Sequence, residues 1–326
     1  MQEKIVTVFG GSGFIGSSLI MRLAKQGYRV RVAVRNTDRA NHLRVYGDVG
    51  QIMPIQVKLS DKQAIQDVIK GSWGVVNLLG ILFEKGSSTF DAVHVVAPKD
   101  IANACAKENV KRLVHISAIG ANAKSKSEYA KSKAKGEKAV LKAFPDATIL
   151  RPSVVFGPGD NFLNMFAKLS KVLPIMAVFE KGSVKMQPVY VADVADAIMA
   201  VLEGKKTTKN QGGQTASKKG AALKAEGKTY ELGGPEIYTL KELMAFAAKS
   251  AGRDPAFFNV PSPLGKMMAY GFEFLPTPLI TRDQIKLLKI DNVVSNKAKG
   301  LKDIGIDPAH LEVIAPTYLK CYQKQF

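Results

Sequence analysis

Apolar runs and amphipathic stretches alternate regularly along the first half of the chain. Short runs rich in valine, isoleucine and leucine predict strands at 4–9, 28–34, 52–59, 74–80 and 112–116, and a further strand begins at Thr148. Stretches with helical periodicity predict helices at 14–26, 64–69, 97–108 and 128–144. Because strands that alternate with helices pair in parallel, this order predicts an α/β fold with a doubly wound parallel sheet.

The second half of the chain has a less regular pattern, with amphipathic helices predicted at 194–202 and 240–251 between proline-rich loops. We therefore predict a sheet domain at 1–157 and a smaller mixed region at 158–326 that interleaves with it. A basic, glycine-rich stretch at about 204–228 lacks apolar periodicity and predicts a mobile surface insertion. A tolerated loop expansion explains this insertion better than a docking arm does.

The chain of 326 residues is strongly basic, with 47 basic against 28 acidic residues and a net charge of +19. The insertion contributes seven lysines and one glutamate, so most of the charge belongs to the folded part. A basic surface favours nucleic acid, an anionic membrane surface or an acidic protein face as partner, and lysine enrichment in the source organism explains the charge equally well. The sequence contains no nucleic-acid-binding signature, so nucleic acid is the weakest of these partners.

The sequence disfavours membrane-spanning and secreted classes. No stretch approaches the roughly 20 apolar residues that a spanning helix needs, and the chain leads directly into a strand, so no signal peptide is expected. Cys105 and Cys321 give neither a metal-ligand spacing nor a disulfide framework, which predicts no metal site and favours a reducing compartment. The histidines also lack ligand spacing, and His115, inside an apolar strand, is interpreted as a satisfied core histidine.

The most specific motif is the glycine-rich turn after the first predicted strand. Gly10, Gly13 and Gly16 fit a GxxGxxG pattern, and Gly11, Gly13 and Gly16 fit a GxGxxG pattern. A turn of this kind between a strand and a helix presents backbone N–H groups to a pyrophosphate. Because a strand and a helix flank it here, the motif predicts binding of a dinucleotide.

Arg35 indicates which nicotinamide dinucleotide the site prefers. Sites that prefer NAD place a carboxylate at the end of the second strand, where it holds the ribose 2′-hydroxyl. This chain has Arg35 there, followed by Asn36. Because a guanidinium can hold a 2′-phosphate with two hydrogen bonds, we predict NADP(H) rather than NAD(H). Arg31 and Arg39 leave open the alternative of a solvated arginine at the strand end.

Tyr129 and Lys133 form a Tyr-x-x-x-Lys pair on a predicted helix, where positions four apart share a face. The lysine ammonium would favour the phenolate and lower the pKa of Tyr129 from about 10 towards neutrality. Tyr129 would then be a proton donor to a carbonyl during hydride transfer. Ser117, in the loop after the fifth predicted strand, is the third member of this candidate catalytic set.

These motifs together resemble the extended and atypical short-chain dehydrogenase/reductase superfamily. The resemblance is carried by the segments 10–16, 77–80, 115–118, 129–133, 151–158, 188–194 and 230–235. Within the superfamily, the chain is most similar to the nucleotide-binding accessory subunit of respiratory complex I (NADH:ubiquinone oxidoreductase) and its α-proteobacterial relatives. That similarity is carried by 80–84, 89–93, 118–121 and 283–295 and covers nearly the whole chain apart from the insertion.

The resemblance implies an NAD(P)-binding Rossmann fold and a subunit on the peripheral arm of complex I near the membrane, holding a mainly structural NADP(H). It implies that Arg35 faces the adenosine phosphate and that Tyr129 and Lys133 contact the nicotinamide ribose. The implied cofactor-binding residues are Gly10, Gly13, Phe14, Ile15, Gly16, Arg35, Leu79, Gly80, Ser117, Tyr129, Lys133 and Pro152. The implied location is the cytoplasmic face of a bacterial inner membrane, or the matrix side in a mitochondrion.

Two departures from the superfamily pattern favour binding over catalysis. The usual catalytic serine or threonine position, one residue after Ser117, holds Ala118, and loss of such a donor costs roughly 10²–10³ in rate. The aspartate that usually contacts adenine is Lys58, although Asp61 lies nearby. A freestanding NADP-dependent reductase, dehydratase or epimerase that uses the tyrosine–lysine pair is the alternative function.

The stretch 261–280 is dense in apolar residues and includes Lys266 and Glu273 as its charged residues. In the parent superfamily this region closes over the substrate. Here the apolar side chains would contact a protein partner or a lipid surface, or they would pack in the core of the chain itself. The sequence leaves these alternatives open.

Overall fold

The computed structural model describes residues 4–206, 208–209, 215–216, 221–275 and 277–323. The main sheet of this described part contains seven strands: β1 Ile5–Phe9, β2 Arg29–Val34, β3 Ile52–Gln56, β4 Gly74–Asn77, β5 Arg112–Ile116, β6 Thr148–Pro152 and β7 Thr229–Leu232. Their order is β3-β2-β1-β4-β5-β6-β7, and all adjacent pairs are parallel. The predicted doubly wound parallel sheet is confirmed, and its strand order reverses between β1 and β4.

The helices follow the strands closely in the first half and dominate the second. They are α1 Phe14–Lys25, α2 Lys62–Ile69, α3 Ala97–Lys107, α4 Glu128–Ala143, α5 Leu163–Val172, α6 Val191–Glu203, α7 Leu240–Ser250, α8 Ser262–Phe272, α9 Arg282–Leu287, α10 Leu301–Ile304 and α11 Leu311–Leu319. A π-helical turn covers Ala92–Val96, and 3₁₀ turns cover Asp38–Tyr46, Glu180–Gly182 and Lys320–Tyr322. Short strand pairs outside the main sheet join Val155–Phe156 to Val189–Tyr190, Ile175–Phe179 to Ala256–Val260, Lys185–Met186 to Tyr238–Thr239, and Thr208–Lys209 to Thr215–Ala216.

Two strands are shorter in the structure than the sequence predicts. The predicted strand 52–59 ends at Gln56, and the predicted strand 74–80 ends at Asn77. The Leu78 N–H still donates to the Phe9 carbonyl, at 3.0 Å, but the Leu79 N–H turns to the Asn77 side chain, also at 3.0 Å. The apolar residues after Asn77 therefore form a loop at the carboxyl edge of the sheet.

Apolar side chains from both faces of the sheet make the core. One buried cluster joins β1 and β2 to α1 and α6, and a second joins β4 to α2 and α3. A third cluster holds the C-terminal region together around Phe156, Leu243 and Leu311. Arg22 of α1 and Asp196 of α6 add a largely buried ion pair of 2.5 Å between the helices on one face. The C-terminal region is thus attached to the sheet through α6 and β7.

The predicted insertion at 204–228 lies partly outside the described residues. In its described end, Leu223 and Ala225 are buried in the same cluster as α1 and α6. Thr148 Oγ1 of β6 donates to the Ala225 carbonyl at 2.8 Å. The expected surface exposure is therefore wrong for this end of the stretch, because these small and apolar side chains complete the core beside β6.

The second apolar stretch of interest forms α8 and the loop that follows it. Its outward side chains are exposed and form what we call the α8 surface: Leu264, Met267, Tyr270, Phe274, Leu275 and Leu279. The opposite side packs inward, where Gly265 approaches Phe179 and Ile285. The alternative that these residues pack in the core of the chain is wrong for the α8 surface.

The described part of the chain contains no helix that is long and apolar enough to cross a membrane. No group of three or more histidine, cysteine, aspartate or glutamate side chains in that part could hold a metal ion.

Candidate nucleotide-binding site

The glycine-rich turn joins β1 to α1 through close backbone approaches. Gly10 has a φ of +75°, and a Cβ there would lie 3.2 Å from the backbone of Leu78 in the loop after β4. Gly16 is buried, and a Cβ there would lie 2.5 Å from the carbonyl carbon of Gly11. A hydrogen bond of 3.1 Å from the Gly13 N–H to the Gly10 carbonyl closes the turn. These contacts bring the start of α1 to the gap between β1 and β4, where the strand order reverses.

The N-terminus of α1 is suited to an anion. Its N-cap is Gly13, which offers no capping side chain, and the first turn carries no acidic residue. The first N–H groups of a helix lack intrahelical acceptors, and the helix dipole adds positive potential there. Phe14 and Ile15 are half-buried in this first turn. The turn therefore fits a pyrophosphate, as the glycine pattern predicts.

Arg35 lies directly after β2, and its side chain is exposed. No carboxylate in the described ranges pairs with its guanidinium. Arg31 is engaged differently, because it donates to the carbonyls of Val68 and Lys70 at 3.0 and 2.6 Å. Arg35 is therefore available to a ligand at the carboxyl end of β2, whereas Arg31 supports α2.

The residues expected at the nicotinamide end converge at the carboxyl edges of β4 and β5. A Cβ on Gly80 would lie 3.4 Å from Lys133 Nζ. The same Nζ lies 3.4 Å from the carbonyl oxygen of Ile116, the residue before Ser117. Tyr129 lies one turn earlier on α4, with its ring centroid 5.9 Å from Lys133 Nζ. The structure thus brings together predicted residues from three separate parts of the chain.

Leu79 and Pro152 lie at the same edge of the sheet. The Leu79 N–H is held by the Asn77 side chain at 3.0 Å, and the Pro152 carbonyl accepts from the Ile119 N–H at 3.0 Å. Asp61, near the usual position of the adenine contact, caps α2, because its carboxylate accepts from the Ala64 N–H at 3.0 Å.

The predicted lowering of the Tyr129 pKa is wrong. Burial raises the pKa of Tyr129 to about 12. Burial also lowers the pKa of Lys133 to about 8, although the nearby Glu137 carboxylate opposes this change. Desolvation disfavours the phenolate more than the lysine stabilises it, so Tyr129 is a neutral phenol near neutral pH. A neutral phenol of this kind is suited to donating a hydrogen bond.

Two buried polar atoms beside the site have no hydrogen-bond partner among the described residues, namely Ser117 Oγ and His115 Nε2. The other ring nitrogen of His115 lies 3.1 Å from Asn77 Nδ2. His115 is therefore a core histidine as interpreted, but the expectation that its hydrogen bonds are satisfied is wrong. An unpaired buried polar group costs about 1–3 kcal/mol, which favours a ligand or water here. The residues present thus fit a nicotinamide dinucleotide.

Sequence reasoning missed His94, which lies in the π-helical turn Ala92–Val96. Its Nε2 accepts from the Ile81 N–H at 3.0 Å, and its Nδ1 lies 2.9 Å from Ser132 Oγ on α4. Its ring lies nearly perpendicular to the Tyr129 ring, with the two centroids 5.4 Å apart. His94 therefore fixes the loop after Gly80 against α4. No spacing in the sequence signals this role, since it depends on a π-helical turn and on contacts between distant segments.

The sheet order, the glycine-rich turn and the tyrosine–lysine pair define a Rossmann-type nucleotide-binding protein. Residues 6–213 match the NAD dependent epimerase/dehydratase family. The NADPH-dependent quinone oxidoreductase from Escherichia coli, solved in complex with NADPH, has the same fold, with a TM-score of 0.71 and 21% identity over 96% of this chain and 99% of that one.

Two curated relatives are similar to this chain over almost its whole length. The NADH dehydrogenase (ubiquinone) 1 alpha subcomplex subunit 9 of Arabidopsis thaliana is 35% identical over 98% of this chain and 78% of that protein. The NADH-ubiquinone oxidoreductase 40 kDa subunit of Neurospora crassa is 31% identical over 97% of this chain and 79% of that protein. The chain belongs to the NAD dependent epimerase/dehydratase family, in the branch that contains these subunits.

Proposed function

We propose that this chain is an accessory subunit of respiratory NADH:ubiquinone oxidoreductase that holds NADP(H) mainly as a structural nucleotide. The observation that carries the proposal is the near-full-length similarity to two proteins named as subunits of this enzyme in a plant and a fungus. The site supports the same function, because its turn, its exposed Arg35 and its unpaired Ser117 hydroxyl fit a bound nucleotide.

A structural role for the nucleotide agrees with the chemistry of the site. Ala118 stands where the catalytic hydroxyl is expected, and the high pKa of Tyr129 makes it a poor acid–base group near neutral pH. When bound, the nucleotide would supply binding energy, since a ligand at 100 times its Kd stabilises a fold by about 2.7 kcal/mol. Tyr129 and Lys133 would orient its ribose, and the start of α1 would hold its pyrophosphate.

Replacing Arg35 tests the preference for NADP(H). We expect Arg35→Asp to raise the Kd for NADPH roughly 10- to 100-fold, because charge-assisted hydrogen bonds contribute about 1.5–3 kcal/mol. The new carboxylate would also improve binding of NADH relative to NADPH. Fluorescence titration of both nucleotides against both proteins measures the change.

Arg44→Asp is the matched control, because Arg44 is another exposed arginine in the 3₁₀ turn after β2 and its replacement changes the net charge equally. It should leave the preference between the two nucleotides unaltered. An Arg35→Asp variant that still prefers NADPH as strongly as the wild type would refute the assignment of Arg35 to the 2′-phosphate.

We infer that the chain docks on the peripheral arm of the enzyme near the membrane through the α8 surface. This surface exposes six large apolar side chains on α8 and its following loop, with Met267 and Phe274 the most exposed among them. Contiguous exposed apolar residues of this kind indicate contact with another macromolecule. The docked chain would lie on the cytoplasmic face of a bacterial membrane or on the matrix side of a mitochondrial one.

Charges placed on the α8 surface test the docking. We expect Met267→Asp combined with Phe274→Asp to reduce recovery of the chain with the enzyme at least tenfold, because burying the new carboxylates at an interface carries a large desolvation cost. Native gel electrophoresis of detergent extracts measures the recovered fraction. Val45→Asp with Val49→Asp is the control, since these residues are also exposed but lie outside the α8 surface.

Purification in mild detergent tests the function as a whole. We expect the chain to comigrate with subunits of NADH:ubiquinone oxidoreductase and to release NADPH on denaturation without turnover. Recovery as a free protein that oxidises NADPH with a carbonyl substrate would instead establish the freestanding reductase. If the chain associates with lipid vesicles but with no subunit of the enzyme, the partner of the α8 surface is the membrane and not a protein.

A further inference from the structure

Asp283 reaches from the C-terminal region to the first turn of α4, the helix that carries Tyr129 and Lys133. Its Oδ2 accepts from Ser127 Oγ at 2.7 Å and from the Tyr129 N–H at 3.0 Å, and its Oδ1 accepts from the Glu128 N–H at 2.9 Å. These hydrogen bonds satisfy donors at the helix N-terminus that have no intrahelical acceptor. The start of α4 therefore depends on a carboxylate more than 150 residues further along the chain.

The Asp283 carboxylate is charged in this position. Burial pushes its pKa upward, but the hydrogen bonds from Ser127, Tyr129, Glu128 and the Lys286 ammonium outweigh burial and lower the pKa overall. An anion at a helix N-terminus also interacts favourably with the helix dipole. Removing this charge would weaken the hydrogen bonds and the dipole interaction together, and the first turn of α4 would lose its anchor.

Asp283 belongs to α9, which packs with α8 as one unit that we call the α8–α9 unit, residues 261–275 and 277–291. Thr281 and Gln284 form a capping box at the start of α9, and Ile285 is buried beneath α8. Among the residues of the unit whose burial the structure describes, Ala269 and Ile285 are the buried apolar side chains, so relatively little apolar burial attaches the unit to the rest of the chain. Regions with few buried apolar contacts open locally at low cost in free energy. The Asp283 hydrogen bonds are thus a substantial part of the attachment.

The nucleotide site and the α8–α9 unit therefore both involve the first turn of α4. The Tyr129 N–H binds Asp283, while the Tyr129 ring lies beside His94 and Lys133 at the nicotinamide end of the site. A shift of the first turn of α4 moves Tyr129 directly, and Lys133 follows one turn later on the same helix.

We propose that Asp283 is a positioning residue that couples nucleotide binding to attachment of the α8–α9 unit. The inference rests on the proposed nucleotide site and deepens it, because it assigns a second consequence to a bound nucleotide. Nucleotide held by Tyr129 and Lys133 stabilises the first turn of α4 and so favours attachment of the unit. By linkage, attachment favours nucleotide binding by the same factor. The nucleotide would therefore hold the α8 surface in the position from which it meets its partner.

The test compares the wild type with Asp283→Asn, which keeps the shape of the side chain but removes its charge. Hydrogen exchange is measured with and without NADPH, together with the Kd for NADPH. In the wild type we expect NADPH to slow exchange in peptides covering 262–287 as well as in the first turn of α4. In D283N we expect roughly a 5- to 30-fold higher Kd, within the usual range of coupling, and no effect of NADPH on exchange in 262–287.

Asp303→Asn is the matched control. Asp303 also lies in the C-terminal region and also accepts from a backbone N–H, that of Gly300 at 2.7 Å, but it lies in α10, outside the α8–α9 unit. Its replacement should leave the Kd and the NADPH effect on exchange unchanged. Ser127→Ala removes one of the hydrogen bonds to Asp283, together with the cap that Ser127 Oγ provides to the Ala130 N–H. It should give a smaller change of the same kind, and a reduced NADPH effect on exchange in 262–287 is the readout that keeps the test available if D283N folds poorly.

The outcomes separate this inference from the proposed function. A folded D283N that binds NADPH like the wild type and keeps the NADPH effect on 262–287 overturns the coupling and leaves nucleotide binding intact. A wild type that binds NADPH without any change in 262–287 overturns it equally. A wild type that binds no nucleotide refutes the proposed function and the coupling together.

Discussion

Gly16→Ala is expected to raise the Kd for NADPH at least 100-fold. A Cβ at this position would lie 2.5 Å from the carbonyl carbon of Gly11. Because the backbone fixes the position of a Cβ and the Gly11 group is itself backbone, no side-chain rotation relieves the clash. The start of α1 would have to move away from the turn, and the N–H groups that meet the pyrophosphate would move with it. Overpacking of this kind also costs about 1–3 kcal/mol of folding free energy. Fluorescence titration with NADPH and urea unfolding measure the two effects.

Gly271→Ala is the control for this substitution. Gly271 lies in α8, where an added Cβ would meet no heavy atom within 4 Å, so alanine fits there. We expect no change in nucleotide binding and a small gain in stability, since alanine favours a helix over glycine by roughly 1 kcal/mol. Binding of NADPH by Gly16→Ala with the affinity of the wild type would show that the pyrophosphate does not lie at the start of α1.

The sheet domain was predictable because its signals are local. Buried parallel strands are short apolar runs, and the turn after β1 carries glycines at the positions where the backbone of Gly11 and of Leu78 approaches closely. The ends of β3 and β4 were not predictable, because the apolar pattern continues beyond Asn77 into the loop that forms the site. Hydropathy reports apolar character and not backbone conformation, and here Leu78 and Leu79 are half-buried in a loop and not in a strand.

The parts of the site that depend on contacts between distant segments were not predictable from the sequence. His94 requires a π-helical turn before it can reach the Ile81 N–H, and Asp283 reaches Tyr129 from the far end of the chain. The prediction of a lowered pKa for Tyr129 was wrong for a related reason. The i, i+4 spacing predicts that Lys133 lies nearby, but it carries no information about desolvation, which dominates once both side chains are buried.

The residues that sequence reasoning missed have a common role, and this role bears on function. Each of the missed residues stabilises the position of Tyr129 or of the loop after Gly80, and none of them supplies a group that transfers protons near neutral pH. Lys133, with its pKa of about 8, is the buried group of the site that changes charge closest to physiological pH. A site whose supporting residues are hydrogen-bonded and keep one protonation state near neutral pH is built to hold a ligand in one geometry, which agrees with a nucleotide that stabilises a subunit.

Mild acid is expected to destabilise the protein strongly, through His94 and His115. Burial, with the charge of the Lys133 ammonium, lowers the pKa of each to about 3. In the unfolded chain both have pKa values of about 6.5, so between pH 6.5 and 3 the unfolded state binds more protons. The free energy of unfolding is therefore unaffected by these groups above pH 6.5 and falls as the pH drops below it. At pH 5 the loss amounts to about 2 kcal/mol for each histidine.

Urea unfolding between pH 7.5 and 5 measures this loss, and the window lies above the range in which carboxylates titrate. His94→Gln should remove about half of the pH dependence, because a neutral amide cannot take up the proton, although its stability at pH 7.5 will also be lower. The exposed His42 provides the control, and His42→Gln should leave the slope unaltered. A wild-type slope near zero between pH 6.5 and 5 would mean that both rings remain accessible to protons in the folded state. The neutral, hydrogen-bonded His94 that holds the loop after Gly80 against α4 would then be ruled out.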